Sequence, residues 1–234
     1  MSAAPVLYLS PHRDDIAYSL AGRILGAAAP RAAGVAVAVF TRSNFAPYAR
    51  PGLDTAAITR LRGAEESRAC RALRLRSLSL PFAEAPLRGY RTTDALFVDD
   101  AVATRDPVVD ALVRCLTTLN AMFRPRAVYA PLGIGGHVDH LVTRVAAQAA
   151  FASQCPVWLY EDLPYAGELD EHAYGAELAR RTGRARPALT PNGAWLTDKL
   201  RVLAGYASQV ARKDLCAVVA HTHRIGGERV WCCR

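Results

Sequence analysis

The 234 residues are 51% hydrophobic, enough for the core of one sizeable α/β domain, and we expect a single domain spanning residues 1–234. The formal net charge of +8 comes almost entirely from dispersed arginines, without the basic patch and interleaved aromatics of a nucleic-acid-binding surface, so we expect no nucleic-acid partner. Apolar runs such as 34–40 are far shorter than the ~20 residues that span a bilayer, which predicts no membrane span and a soluble, cytoplasmic protein.

Short β-rich apolar runs alternate with longer helical patterns, which predicts a Rossmann-like α/β domain with a mainly parallel sheet flanked by helices. The predicted strands are 6–10, 34–41, 77–81, 127–130 and 157–160. The predicted helices are 16–29, 54–73, 107–123, 140–152 and 197–212. Segments 44–52 and 163–192 are rich in Pro, Gly and polar residues and have no clear period, so we expect long loops that cover a site.

A charged cluster follows the first predicted strand, where residues 10–15 read S-P-H-R-D-D. Ligand sites of parallel sheets lie at the carboxyl ends of the strands, and ionised groups there are costly unless they are paired or bound. Asp14 or Asp15 could simply cap the following helix. A cap uses one acidic side chain, however, and leaves His12 and the second aspartate unexplained.

A second cluster, G-I-G-G-H-V-D-H at 133–140, occupies the equivalent place after the strand predicted at 127–130. Taken alone, each cluster could be structural, as a helix cap or a glycine turn. Two clusters of His and Asp at the carboxyl ends of two strands can also face each other across one pocket. Together they therefore indicate a metal site whose ligands come from distant parts of the chain.

Catalytic zinc typically has three protein ligands and one position for water. The H-x-x-D spacing places His12 and Asp15 one turn apart, so both can bind one ion while Asp14 stays free for proton transfer. The third ligand would be His140 or His137, and the other histidine would lie near the open position. The six cysteines are scattered and show no zinc-binding spacing.

The two clusters resemble the signature motifs of the LmbE-like, or PIG-L-like, zinc-dependent deacetylases, written PHPDD with a downstream GG, and HPDH. Here the first reads P-H-R-D-D followed by Ala21-Gly22, and the second reads H-V-D-H at 137–140. Other segments resemble the family in the same order along the chain: R-G-A-E-E at 62–66, Y-E-D-L-P-Y at 160–165, D-K at 198–199 with Y-A-S-Q at 206–209, and E-R-V-W at 228–231.

The resemblance implies an LmbE-like fold and a hydrolase that removes an N-acyl group, in this family an N-acetyl group, from a small glycoside or related metabolite. One zinc ion per chain would be bound by His12, Asp15 and His140, with Asp14 as the general base. His137 would stabilise the oxyanion or protonate the leaving amine, and Asp139 would orient and charge it.

Candidate substrate-binding residues follow from the same resemblance. Arg13 replaces the family's proline and could reach an acidic group on the substrate. Arg62 is a second candidate, although it could equally form surface pairs with the neighbouring glutamates. Asp162 and Tyr165 are the other two, and they could instead pin a loop.

Other functions remain open at this point. The partner would be a small N-acylated molecule, but the enzyme could be an amidase for a bulkier N-acyl or thiol conjugate, or a non-catalytic binding protein of the same fold. Relatives are often oligomeric, so a homo-oligomer is possible. We expect Lys199, Tyr206 and Gln209 to pack helices, and the remaining histidines to be exposed loop residues, namely His172, His221 and His223.

Overall fold

The apolar runs form a central sheet in the computed structural model, which describes residues 4–26 and 34–232. The strands in these residues are β1 (Val6–Ser10), β2 (Gly34–Arg42), β3 (Arg76–Ala83), β4 (Ala127–Pro131), β5 (Val157–Tyr160), β6 (Arg186–Pro191) and β7 (Gly227–Cys232). Their order in the sheet is β3-β2-β1-β4-β5-β7-β6. The five strands predicted from the sequence are therefore confirmed, each within two residues of its predicted bounds.

The first five strands are parallel. Val6 of β1 pairs with Gly34 of β2 on one side and with Ala127 of β4 on the other. β3 extends the sheet beyond β2, and β5 extends it beyond β4, again in parallel. Only β7 and β6 run antiparallel, on the β5 side of the sheet. The predicted mainly parallel α/β fold is confirmed.

Helices cover both faces of this sheet, as parallel strands buried on two sides require. In the described part of the chain they are α1 (Asp15–Gly26), α2 (Thr55–Leu73), α3 (Thr93–Leu96), α4 (Asp100–Ala103), α5 (Val108–Phe123), α6 (Val138–Phe151), α7 (Tyr165–Glu168), α8 (Glu171–Thr182), α9 (Trp195–Ala204) and α10 (Arg212–Ile225). The predicted extension of the first helix through residues 27–29 lies outside the described residues.

The last third of the chain differs most from the prediction. Segment 163–192 is not a loop, because it contains α7, α8 and β6. The helix predicted at 197–212 ends at Ala204, and α10 follows as a separate helix. β6 was missed because it lies at the edge of the sheet, alternates between exposed and half-buried residues, and carries two prolines. Segment 44–52 is a loop, as predicted.

Three neighbouring strands bring the charged clusters to one edge of the sheet. β1 ends at Ser10, β4 at Pro131 and β5 at Tyr160, and these strands lie side by side in the order β1-β4-β5. The loops that follow them carry the residues predicted for the site. No helix among the described residues is long and apolar enough to cross a membrane.

Gly22 of α1 allows close packing between α1 and α9. A Cβ atom at this position would lie 2.3 Å from two ring atoms of Trp195, whose indole N–H donates to the Pro191 carbonyl. Gly22→Ala should therefore lower the free energy of unfolding by about 1–3 kcal/mol, although alanine has a better helix propensity than glycine. Gly175→Ala in α8, where nothing lies within 4 Å, is the control and should raise it by up to ~1 kcal/mol. Denaturant titration measures both changes, and equal effects would contradict the packing argument.

Candidate metal centre and active site

The predicted site residues converge where β1, β4 and β5 end. His12 follows β1 and lies near the start of α1, and His137 caps the N-terminus of α6. The turn that leads from β4 into α6 has positive φ at Gly133, Gly135 and Gly136, a conformation that favours glycine. This turn directs the H-V-D-H cluster towards the loop that carries His12.

His12 and His140 each direct one ring nitrogen towards the carboxylate of Asp15. His12 Nδ1 lies 3.7 Å from Asp15 Oδ2, and His140 Nε2 lies 3.4 Å from Asp15 Oδ1. The other nitrogen of each ring meets a second carboxylate: His12 Nε2 is 3.0 Å from Asp139 Oδ2, and His140 Nδ1 is 2.7 Å from Asp162 Oδ1. Metal-binding histidines are commonly oriented by a carboxylate in this way.

The donor atoms of this cluster fit one divalent metal ion. Ligand atoms about 2.1 Å from a tetrahedral zinc ion lie roughly 3.4 Å from each other, close to the separations between Asp15 and the two rings. His140 Nε2 is buried and has no hydrogen-bond partner in the described residues. Since an unsatisfied buried nitrogen is costly, a metal bound here would remove that cost.

A third imidazole lies beside this pair. One ring nitrogen from each of His12, His137 and His140 lies within 4.8 Å of the other two, so His137 is an alternative to Asp15 as the third ligand. The Nδ1 atom of His137 accepts a hydrogen bond from the Asp139 backbone N–H, which leaves its Nε2 atom for a metal, a water or a substrate. His12 and His140 belong to both possible ligand sets.

The protein around the two rings favours their charged forms. Burial alone would lower the pKa of His12, but the hydrogen bond to Asp139 and the charge of Asp15 outweigh it and raise this pKa to about 9. The pKa of His140 is also raised, because Asp15 and Asp162 outweigh its burial. A metal ion that binds His12 must therefore displace a proton.

Asp139 differs from its predicted role. Its negative charge favours the charged form of His137 but does not outweigh the burial of that ring. The carboxylate accepts hydrogen bonds from His12, from Arg88 Nη1 at 2.7 Å and from the Ala85 backbone N–H at 3.0 Å. Burial alone would raise the pKa of Asp139, but His12 and Arg88 hold it well below its ordinary value. Asp139 is thus a buried anion that orients His12.

His137 is consequently a neutral donor. Burial, together with the neighbouring His12, lowers the pKa of His137 well below its ordinary value. Since its Nδ1 atom accepts a backbone N–H, the ring proton lies on Nε2. The expected cationic imidazole is therefore replaced by a neutral ring that can donate one hydrogen bond.

The side chain of Asp14 faces Arg62. Its Oδ1 atom lies 3.8 Å from Arg62 Nη2, and its side chain is 13% exposed. Arg62 is 3% exposed and also donates to Glu84 at 2.5 Å and to Ser43 Oγ at 2.7 Å. The alternative of a surface pair is wrong for Arg62, which is buried and faces the candidate base.

Arg13 is already engaged within the protein. Its guanidinium forms an ion pair with Glu66 and donates to Ser79 Oγ at 3.1 Å. Glu66 is 3% exposed, and a buried carboxylate requires such a cation. A substrate carboxylate would therefore compete with Glu66 for the Arg13 guanidinium.

Asp162 cannot contact a substrate directly, because it is completely buried. Besides His140, it accepts the backbone N–H groups of Gly133 at 2.7 Å and Ile134 at 2.9 Å. The predicted substrate-binding role of Asp162 is therefore corrected: it joins the β4 and β5 loops and orients His140.

Two aromatic rings lie over the histidines. The ring centroid of Tyr165 is 5.5 Å from that of His140 and 6.3 Å from that of His137. Phe97 packs edge-on against His137, with a centroid distance of 5.8 Å. Sequence reasoning identified Tyr165 through its motif but missed Phe97, which belongs to no motif and reaches the site only through the fold.

A second buried cluster surrounds Glu161, the residue before Asp162. Glu161 accepts hydrogen bonds from Tyr174, Arg229 and Trp231, and lies 2.9 Å from His221 Nε2. The prediction that His221 is an exposed loop residue is wrong, since it is buried on α10. His172 and His223 are exposed, although on helices. Lys199 is buried, and its ammonium donates to Glu228 at 2.6 Å.

Sequence comparisons identify relatives of this chain. Residues 7–151 match the PIG-L family, described as GlcNAc-PI de-N-acetylase. The 2'-N-acetylparomamine deacetylase of Streptomyces fradiae is 34% identical over 232 residues, which cover 96% of this chain and 80% of that protein.

Solved structures with under 25% identity share the fold. The zinc-inhibited form of teicoplanin deacetylase has a TM-score of 0.73 at 21% identity, with 97% of each chain covered. The N,N'-diacetylchitobiose deacetylase of Pyrococcus horikoshii has a TM-score of 0.61 at 16% identity, with 98% of this chain and 82% of that chain covered. Residues 7–151 match the family model, and the Streptomyces fradiae relative is similar along 96% of this chain. The chain therefore belongs to the GlcNAc-PI de-N-acetylase (PIG-L) family.

Proposed function

We propose that this protein is a metal-dependent N-deacetylase that hydrolyses the acetamide of a small glycoside to a free amine and acetate. The proposal rests on the Asp15 carboxylate, which lies 3.7 Å from His12 Nδ1 and 3.4 Å from His140 Nε2, with Asp14 and His137 as separate groups for proton transfer and hydrogen bonding. Membership of the PIG-L family supports the reaction, and the 2'-N-acetylparomamine deacetylase relative supports a glycoside as substrate.

We assign the metal as zinc. Two imidazole nitrogens and one carboxylate are a ligand set typical of catalytic zinc, whereas magnesium and calcium favour oxygen ligands throughout. A solved structure of the same fold is described as the zinc-inhibited form of a deacetylase, so a protein of this fold can bind zinc. Asp139 and Asp162 would fix the two histidines in the orientation that the metal requires.

The residues of the site divide the reaction between them. Bound zinc would supply an acidified water and polarise the amide carbonyl. Asp14 would accept the proton of the attacking water and pass it to the nitrogen of the leaving amine. The Nε2–H group of His137 would donate to the oxyanion of the tetrahedral intermediate. Arg62, 3.8 Å from Asp14, would hold the base in position.

Amine release by metal-stripped and zinc-reloaded protein tests the proposal. The substrates are N-acetylglucosamine, N,N'-diacetylchitobiose and 2'-N-acetylparomamine, with an N-acetylated amino acid as the control that a general amidase would accept. We expect the reloaded protein to release amine from at least one glycoside at least about 100-fold faster than the stripped protein. The reason is that a catalytic metal stabilises the charge of the transition state by several kcal/mol. Equal release by both forms would contradict the proposal.

A further inference from the structure

A cavity opens beside the proposed catalytic ring of His137. Its volume is about 660 Å³, and its lining includes Phe97, Asp99, Gly136, Leu169 and Glu177. We call it the side cavity. This volume lies within the range of small-molecule sites and exceeds what an acetamide alone would fill. Phe97 of this lining packs against His137 with a ring-centroid distance of 5.8 Å, which brings the side cavity close to that ring.

Phe97 forms a fixed wall of the side cavity. Its backbone pairs with that of His137 in an isolated β-bridge, and the Val98 N–H donates to the Gly136 carbonyl at 2.9 Å. The Phe97 side chain is nevertheless exposed, with 41% of the residue accessible. An exposed ring that the backbone holds at an active site offers a flat apolar surface to the C–H face of a sugar or cyclitol ring.

The side cavity carries more acidic than basic groups, in a chain with a net charge of +8. Its lining contains two carboxylates, Asp99 and Glu177, and one cation. The one cation in the lining, Arg180, is held by Glu177 at 2.9 Å and Asp100 at 3.4 Å. Among the described residues, no hydrogen bond or ion pair involves the carboxylate of Asp99, which therefore remains available to a ligand.

We propose that the side cavity binds a second ring of the substrate and that this ring carries an ammonium group. Phe97 would contact the apolar face of the ring, and Asp99 would pair with the ammonium. This inference rests on the proposed function and narrows its substrates to N-acetylated glycosides that already carry a free amine. A neutral glycoside of the same size would lack the Asp99 contact.

A matched pair of disaccharides tests the inference. N,N'-diacetylchitobiose is neutral, and the corresponding disaccharide with its acetamide on the non-reducing ring and a free amine on the reducing ring has one positive charge. Acetate release from both disaccharides is measured with zinc-loaded wild type and with Asp99→Asn. This substitution removes the charge but keeps the size of the side chain at the exposed start of α4. Asp94→Asn is the control, because Asp94 is exposed in the same segment but is not part of the lining.

We expect the wild type to favour the cationic disaccharide, with a preference that falls as salt rises. Asp99→Asn should raise KM for this substrate about threefold to fivefold, the effect of one solvent-accessible ion pair, and leave its kcat and both constants for the neutral disaccharide unchanged. Asp94→Asn should change none of these constants. Turnover of both substrates with no effect of Asp99→Asn would overturn the inference and leave the proposed function intact.

Binding without turnover separates the two proposals. If neither disaccharide is hydrolysed, calorimetric titration with chitobiose, the fully deacetylated dication, is carried out on wild type and Asp99→Asn. Binding that weakens in Asp99→Asn would support the cationic subsite although the proposed reaction fails. Equal binding to both proteins, or none to either, would overturn the inference as well.

Discussion

The double variant His12→Ala/His140→Ala is expected to purify without the near-stoichiometric zinc of the wild type and to lose at least about 10³-fold of its deacetylase rate. Both rings belong to every ligand set that the geometry allows, so removing them leaves one protein ligand at most in either set. Elemental mass spectrometry measures the metal, and amine release measures the rate.

His172→Ala/His223→Ala is the matched control, because it removes two exposed histidines that lie outside the cluster. Circular dichroism of both variants checks folding, since loss of the two rings also removes hydrogen bonds from the buried Asp139 and Asp162. A folded His12→Ala/His140→Ala variant that still holds one zinc per chain would show that the ion binds elsewhere, and the ligand assignment would then be wrong.

The parallel half of the fold could be predicted because its sequence pattern is strong. Buried parallel strands are apolar along their whole length, and β2 is buried from Gly34 through Thr41. The antiparallel end of the sheet gave no such signal. In α8 only Tyr174 and Arg181 are buried, so this helix lacks the apolar stripe from which a helix is normally identified.

The residues of the site were predictable from their places after β1 and β4, but their contacts were not. The family resemblance assigned Asp139 to His137, two positions away, whereas the start of α6 directs this carboxylate to His12, 127 positions away. Asp162 was predicted to bind the substrate because nothing in the sequence indicates that its side chain is completely buried. Motifs name the residues of a site, while the packing of loops from separate strands decides which pairs meet.

Asp14→Asn is expected to retain the metal of the wild type and to lower kcat by about 10²–10⁴-fold. Asparagine has the size of aspartate but cannot accept a proton from the attacking water, and Asp14 lies outside both possible ligand sets. Steady-state kinetics and elemental mass spectrometry of the same preparation measure the two properties together. Asp198→Asn, an exposed aspartate on α9, should leave both unchanged.

The combination of results decides between a hydrolase and a non-catalytic binding protein of the same fold. A binding protein would have no acetate release for the substitution to reduce, and its affinity for an N-acetylated glycoside would hardly change in Asp14→Asn. Retained zinc with retained turnover would mean that a group other than Asp14 accepts the proton of water. Retained zinc with lost turnover would place the base at Asp14, and Arg62, buried 3.8 Å behind it, would then be the residue that holds that base in place.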